Sequence, residues 1–154
     1  EGSTDEMKAD LSMHSIKLVS KLAKSNEVFK WGIYKRPDVN KLFVKNITFL
    51  GDAAHPIVPF LGQGGCMALE DAYIFGKLLI KNRDDIAHAQ REYKRLRAPR
   101  LRMVKRMSET QGYLYHLSNP FIISIRNFLM RNSSSTTDKR LMRIWDYDPN
   151  NDLK

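Results

Sequence analysis

Apolar and polar positions follow several rhythms along this chain, and each rhythm predicts a different element. From Asp5 to Ser25, Leu11, Ile16, Leu18, Val19 and Leu22 recur among lysines at helical spacing, with Ser3, Thr4 and Asp5 placed to cap; this predicts one or two short helices. Val28 to Tyr34 (VFKWGIY) alternates large aromatic and β-branched residues and predicts a strand, which Arg36, Pro37 and Asp38 break. Lys41 to Lys45 connects to Asn46 to Leu50 (NITFL), a β-rich run ending on Gly51.

Gly51 to Gly65 holds four glycines and two prolines, which predicts a loop whose backbone approaches something closely. Beyond it, Cys66, Leu69, Ala72, Tyr73, Gly76, Leu79 and Ile80 fall at three and four spacing, with Glu70, Lys77 and Lys81 on the other face of a helix. Glu70 and Asp71, being adjacent, are expected to cap and solvate that helix. A second helix is expected from about Ile86 to Gly112, with Ala89, Tyr93, Leu96, Met103, Val104 and Met107 inward, Pro99 a kink and Gly112 a stop. A short apolar helix from Pro120 to Arg131 follows, then SSSTTDK as a polar linker and an unassigned RIWDYDPNNDLK. No internal repeat is present.

Composition is ordinary for a globular chain: 154 residues, 42% hydrophobic and 28% charged. The charge is not, since 26 Lys and Arg against 17 Asp and Glu leave +9, a balance that suits an anionic partner. Cys66 stands alone, which excludes an intrachain disulfide framework and fits a reducing, cytoplasmic setting. The opening EGSTDEMKAD is acidic and polar, unlike a signal or transit peptide, and a start on Glu1 with no methionine before Met7 looks like a piece of something larger. FIISIRNFLM is too short, and too interrupted by Arg126, for the roughly 20 apolar residues of a membrane span.

The informative segment is NITFLGDAAHPIVPFLGQGGCMALEDA. Asp52, just past a strand's carboxyl end, is placed to accept hydrogen bonds from a ligand hydroxyl, and Ala53 and Ala54 keep the turn small. Gly62, Gly64 and Gly65 let backbone lie against a flat ring, while the free N–H groups of the helix that follows offer donors and a positive dipole end. Such an end favours an anion without needing a lysine. His14, His55, His88 and His116 lack paired ligand spacing, so no metal site is expected, and the DYDPNND run lacks the sixth-position glycine of a calcium loop and reads as a solvated terminus.

GDAAHP, then P, then GQG, then EDA resembles the second FAD motif of the flavoprotein aromatic hydroxylases. FKWGIYKRP and YKRLRAPRLRMVKRMSETQGYLYHL are similar to the flanking strand and helix of the salicylate hydroxylase-like branch, most securely from Phe29 to Leu117. The resemblance implies the carboxyl-terminal part of an α/β (α+β) flavoprotein hydroxylase fold, helix-rich with a few strands. It divides the chain into the end of a substrate-binding domain (1–40), an FAD-binding segment (41–83), carboxyl-terminal helices (84–131) and a polar tail (132–154).

It further implies an FAD-dependent monooxygenase that uses NADH or NADPH and oxygen to hydroxylate a small aromatic acid such as a hydroxybenzoate. Asp52 would bind the ribityl hydroxyls, Gly51 would allow the approach, and Pro59 would border the space between flavin and substrate. Gln63, Gly64, Gly65 and Cys66 would present backbone to the pyrimidine edge, with Gly62 also cofactor-binding and His55 structural. The family's GxGxxG and middle Asp-Gly motif are absent, so the expected partner is a missing amino-terminal half of the same protein, no catalytic residue is assigned within this chain, and the piece alone should be inactive. Homo-oligomerisation is left open.

Two further readings compete. Cys66 beside His55 could be a nucleophile, but a free cysteine is more often a small buried hydrophobe. The basic run Arg91, Lys94, Arg95, Arg97, Arg100, Arg102, Lys105 and Arg106 is the basis of the alternative function, a nucleic-acid or membrane-surface binding module. It is set second to a hydroxylase with no nucleic-acid partner, because the solvated face of a core helix accounts for these charges and no nucleic-acid-binding signature accompanies them.

Overall fold

The computed structural model describes residues 3–12, 21, 28–34, 41–132 and 134–153. Contacts divide the chain into two units, Glu1–Tyr34 and Lys35–Lys154. In the first, α1 (Thr4–Ser12) opens with Asp5 and Glu6 in its first turn, and the Ser3 hydroxyl accepts from the Glu6 N–H at 3.4 Å. The rest of the helical pattern up to Ser25, His14 included, lies almost wholly outside the described residues, as does the break at Arg36 to Asp38.

Residues 28–34 correct the sequence reading: they form no strand. A strand exists only through a ladder partner, and none of the described residues pairs with this stretch. Its aromatic residues are bare, Trp31 being 84% exposed.

The second unit begins with a small hairpin. β1 (Phe43–Val44), inside the stretch read as a connection, pairs antiparallel with β2 (Ile47–Thr48) in the register Phe43 to Thr48 and Val44 to Ile47. Lys45, at φ +50°, makes the tight reversal between them. Two long helices then form the core, α2 (Gly64–Lys81) and α3 (Ile86–Tyr115). Met67, Ile74 and Leu78 of α2 pack with Ala89, Tyr93, Leu101 and Val104 of α3 over Leu42 and Ala54. Asp85 caps α3 by accepting from the His88 N–H at 2.8 Å. The hairpin is tied to α3 by Gln90, which donates to the Thr48 hydroxyl at 2.9 Å, and by the Tyr93 hydroxyl, which donates to the Phe49 carbonyl at 3.2 Å.

The inward face of α2 is not the one its apolar periodicity suggested. Residues 67, 71, 74 and 78 are buried, while Cys66, Leu69 and Ile80 are exposed, Leu69 to 74%. Two interleaved apolar stripes share this helix, and the stripe containing Asp71 wins because Asp71 finds buried partners on α3. Cys66, one position from Met67 and so about 100° around the helix, is turned outward rather than buried. Gly112 does not stop α3, which continues to Tyr115; it is buried because the Phe60 ring lies where a side chain would begin, with an added Cβ only 2.4 Å from it.

Helix α4 (Pro120–Asn132) forms where its apolar pattern placed it, with the Asn119 side chain accepting from the Phe121 N–H at 2.9 Å. The polar linker and solvated terminus are both overturned. Residues Ser134–Trp145 form α5, and a turn at Pro149–Leu153 folds back on the core, where the Tyr73 hydroxyl donates to Asn150 at 2.6 Å. Tyr147 lies beneath Arg100, whose guanidinium carbon is 4.0 Å from the ring centre, and donates its hydroxyl proton to Asp152. Among the described residues no helix is long and apolar enough to cross a membrane.

Burial and the hydrogen bond to Asp152 push the Tyr147 phenol up to about 12. An unfolded phenol ionises near about 10, so the native state holds this proton longer and stability contributed by Tyr147 falls as pH rises through that interval. A phenolate absorbance titration should therefore show a late component that Tyr147→Phe removes.

Candidate functional site

The chain leaves the hairpin through Leu50, in extended conformation, and turns sharply at Gly51–Ala53. Gly51 adopts φ +55° and is buried, with a Cβ at this position meeting the Ala68 Cβ at 3.1 Å. Handedness therefore favours glycine here, and the space left for a side chain is tight. The Gly51 carbonyl accepts from the N–H groups of Ala54 and His55, both at 2.9 Å, which leaves the Asp52 side chain free to project outward, where it is exposed. The second turn, Pro59–Leu61, ends on Gly62 at φ 64°, whose N–H donates to the Pro59 carbonyl at 3.0 Å. Gln63 then starts α2, and the first helical bond runs from the Met67 N–H to the Gln63 carbonyl at 2.9 Å.

The two ends of this loop meet. A Cβ built on Gly64 would lie 3.9 Å from Asp52 Oδ1, so the carboxylate stands beside the amino end of α2. That end has no side-chain cap and no acid in its first turn, and the N–H groups of Gly64, Gly65 and Cys66 precede the first intrahelical bond. A Cβ on Gly65 would meet nothing within 4 Å, so the packing of this chain does not require a glycine there. Gly65 also lacks a positive φ. Gly51, Asp52, Gly62, Gln63, Gly64, Gly65 and Cys66 thus sit on two adjoining backbone segments, with Pro59 exposed on the turn between them.

What fixes this loop is a buried ionic network that the sequence reading missed. Asp71, fully buried on α2, accepts from the Gly51 N–H at 3.0 Å, from the His55 imidazole, and from Arg97 Nε at 2.7 Å. Arg97, equally buried on α3, also donates to Glu70 at 2.7 Å, and Arg100 donates to Glu70 at 2.9 Å. Glu70 and Asp71 are therefore internal partners of arginines rather than solvated residues. Burial alone would raise the Asp71 carboxyl, but His55 and then Arg97 outweigh it and hold it below the usual carboxylate range. Burial likewise opposes the Arg97 charge, and the hydrogen bonds to Asp71 and Glu70 more than restore it.

The far side of the loop is held separately. The Ser108 hydroxyl donates to the Val58 carbonyl at 2.6 Å, and the Phe60 ring packs over Gly112 with its centre 5.4 Å from that of His116. His55, inside the motif but expected to be structural, is buried with its imidazole on Asp71. The basic face of α3 is smaller than its sequence implied: Arg97 and Arg100 are internal, and Arg95 pairs with Glu92 at 2.9 Å.

Comparison with known proteins places the chain among relatives of aromatic-ring monooxygenases. It is 39% identical over 93 residues to the 3-amino-4-hydroxybenzoate 2-monooxygenase of Streptomyces platensis, covering 60% of this chain and 24% of that protein. It is 35% identical over 107 residues to the 3-hydroxybenzoate 6-hydroxylase of Klebsiella oxytoca, covering 70% of this chain and 27% of that enzyme. With the salicylate hydroxylase of Pseudomonas putida it shares 29% identity over 126 residues, 80% of this chain and 28% of the enzyme. The similarity to aromatic hydroxylases, including the salicylate hydroxylase branch, therefore extends well beyond the glycine loop. No family model matches. The chain spans about a quarter of the length of these curated relatives.

Proposed function

We propose that this chain supplies the second FAD-binding segment of an FAD-dependent monooxygenase that hydroxylates a small aromatic acid, with NADH or NADPH and oxygen as co-substrates. The observation that carries the reading is the pairing of Asp52 with the uncapped, glycine-opened amino end of α2. The residues present fit the cofactor. A carboxylate suits a polyol chain, and open N–H groups at a helix start suit a ring edge that becomes anionic on reduction. Gly65 leaves backbone bare where this chain's own packing and backbone conformation need no glycine.

In this reading Asp52 accepts from the ribityl hydroxyls, Gly51 sets the turn that presents it, Gly62 lets the chain pass close to the ring, and Gln63, Gly64, Gly65 and Cys66 offer backbone to the pyrimidine edge. Pro59 borders the substrate side. When bound, FAD supplies the two-electron and oxygen chemistry that no side chain provides. Residues 41–83 form the flavin-holding segment, and α3 is the beam on which it is mounted. The dinucleotide-binding half comes from the remainder of the protein. Similarity to hydroxybenzoate and salicylate hydroxylases supports the substrate class.

Asp52→Ala in the full-length protein should weaken FAD by roughly 1.5–3 kcal/mol, the range for a hydrogen bond to a charged group. Flavin retention after dialysis reads this directly. Unchanged retention would remove Asp52 from the site, and a wild-type protein that takes up no flavin would remove the reading itself.

A further inference from the structure

A second feature shares no residue with the Gly51–Cys66 loop. Pro99, Arg102, Met103, Arg106 and Met107 of α3, with Arg140 and Arg143 of α5, line a recess of about 370 Å³. The steps from 99 to 103 to 106 and from 140 to 143 are those of single helical stripes, so two helices each present a pair of arginines to one space. Among the described residues none of these four guanidinium groups has an ion pair or a hydrogen bond, and none of the lining residues is acidic.

Like charges three and four residues apart on a helix repel, so this arrangement is unfavourable without an anion between them. A solvated face would have no reason to be concave, whereas here the two thioethers and Pro99 give the recess an apolar lining. Its second wall is also held in place. Buried Arg100 reaches from α3 to donate to the carbonyls of Arg143 and Ile144, at 2.8 and 2.9 Å, and so caps the carboxyl end of α5 with a cation. The positions of Arg140 and Arg143 relative to α3 are thus set by the protein itself.

We propose that this recess binds a small phosphate-bearing anion. All four cations are arginines, whose planar forks match phosphoryl oxygens in pairs. The volume lies at the small end of ligand pockets, of the order of a nucleotide. A flat apolar portion of the ligand would lie against Met103, Met107 and Pro99, with its phosphates toward the guanidinium groups.

The test is calorimetric titration, at low salt, of the full-length protein loaded with FAD and then freed of unbound flavin, with inorganic pyrophosphate, ADP and adenosine. Saturable one-site binding of pyrophosphate is expected. Losing a charge-assisted bond at each of two positions should lower that affinity by at least about tenfold in the Arg106→Gln, Arg143→Gln double variant. Arg95→Gln, on a residue outside the recess, should leave it unchanged, and an unaltered thermal midpoint in the single Arg106→Lys variant guards against misfolding while still weakening binding. ADP tighter than pyrophosphate, with adenosine alone silent, would assign a nucleotide; equal affinities would assign free phosphate. Absence of saturable binding, or equal weakening by Arg95→Gln, would overturn the proposal.

Discussion

Replacing Asp71 by alanine should be the most damaging single change to this unit, lowering its stability by roughly 3–5 kcal/mol, the usual cost of removing one partner from a buried ion pair. The change strands three groups at once: the Gly51 N–H, the His55 imidazole and the Arg97 Nε all lose their acceptor. Urea denaturation should show an earlier midpoint with an unchanged slope. Asp71→Asn, which keeps the volume and one acceptor, should fall between the two. The pH dependence follows in sign from the lowered carboxyl. Its contribution is present above the ordinary carboxylate pKa and is lost as pH falls through the lower native value, so the gap between wild type and variant should close in acid. On the proposed flavin role of Asp52, flavin retention should suffer too, because the turn presenting Asp52 is anchored by this carboxylate.

Gly51→Val should follow in size. A β-branched residue at φ +55° carries a left-handed penalty of roughly 1–2 kcal/mol. Its Cβ also enters the space of Ala68, at 3.1 Å, and overpacking of this kind adds roughly 1–3 kcal/mol. Gly62→Val separates the two effects, since Gly62 has the same handedness but open space around it. It should show only the conformational part by urea denaturation. If both variants lost the same amount, crowding against Ala68 would play no role.

The helices were legible in the sequence because their periods are local: α2, α3 and α4 lie where the three and four spacings put them. The motif loop was legible too, since glycine and proline dictate backbone without reference to distant residues. What escaped was whatever depended on partners far along the chain. Asp71 looked like a solvated residue because its acceptor role is defined by Arg97, 26 positions later. Counting it as polar also hid the true inward stripe of α2. Serine and threonine are indifferent helix formers, so SSSTTDK read as linker. Tertiary anchoring overrides that preference through the buried Ile144 side chain and the Arg100 guanidinium on the last carbonyls of α5. The stretch 28–34 shows the converse, a strand-like pattern that no ladder partner among the described residues completes.

The reach of Arg100 also bears on where this protein can be cut. The same guanidinium holds Glu70 on one side and the end of α5 on the other, and Glu70 shares Arg97 with Asp71. A trimmed version ending in the serine run, the natural place to stop by composition, would remove the carbonyls that fill two of the Arg100 donors. It would also uncover the buried arginine pair, and the disturbance would travel through Glu70 and Arg97 to the turn beneath Asp52. The last two dozen residues are therefore a buttress for the motif loop, and a boundary chosen for expression belongs beyond Leu153.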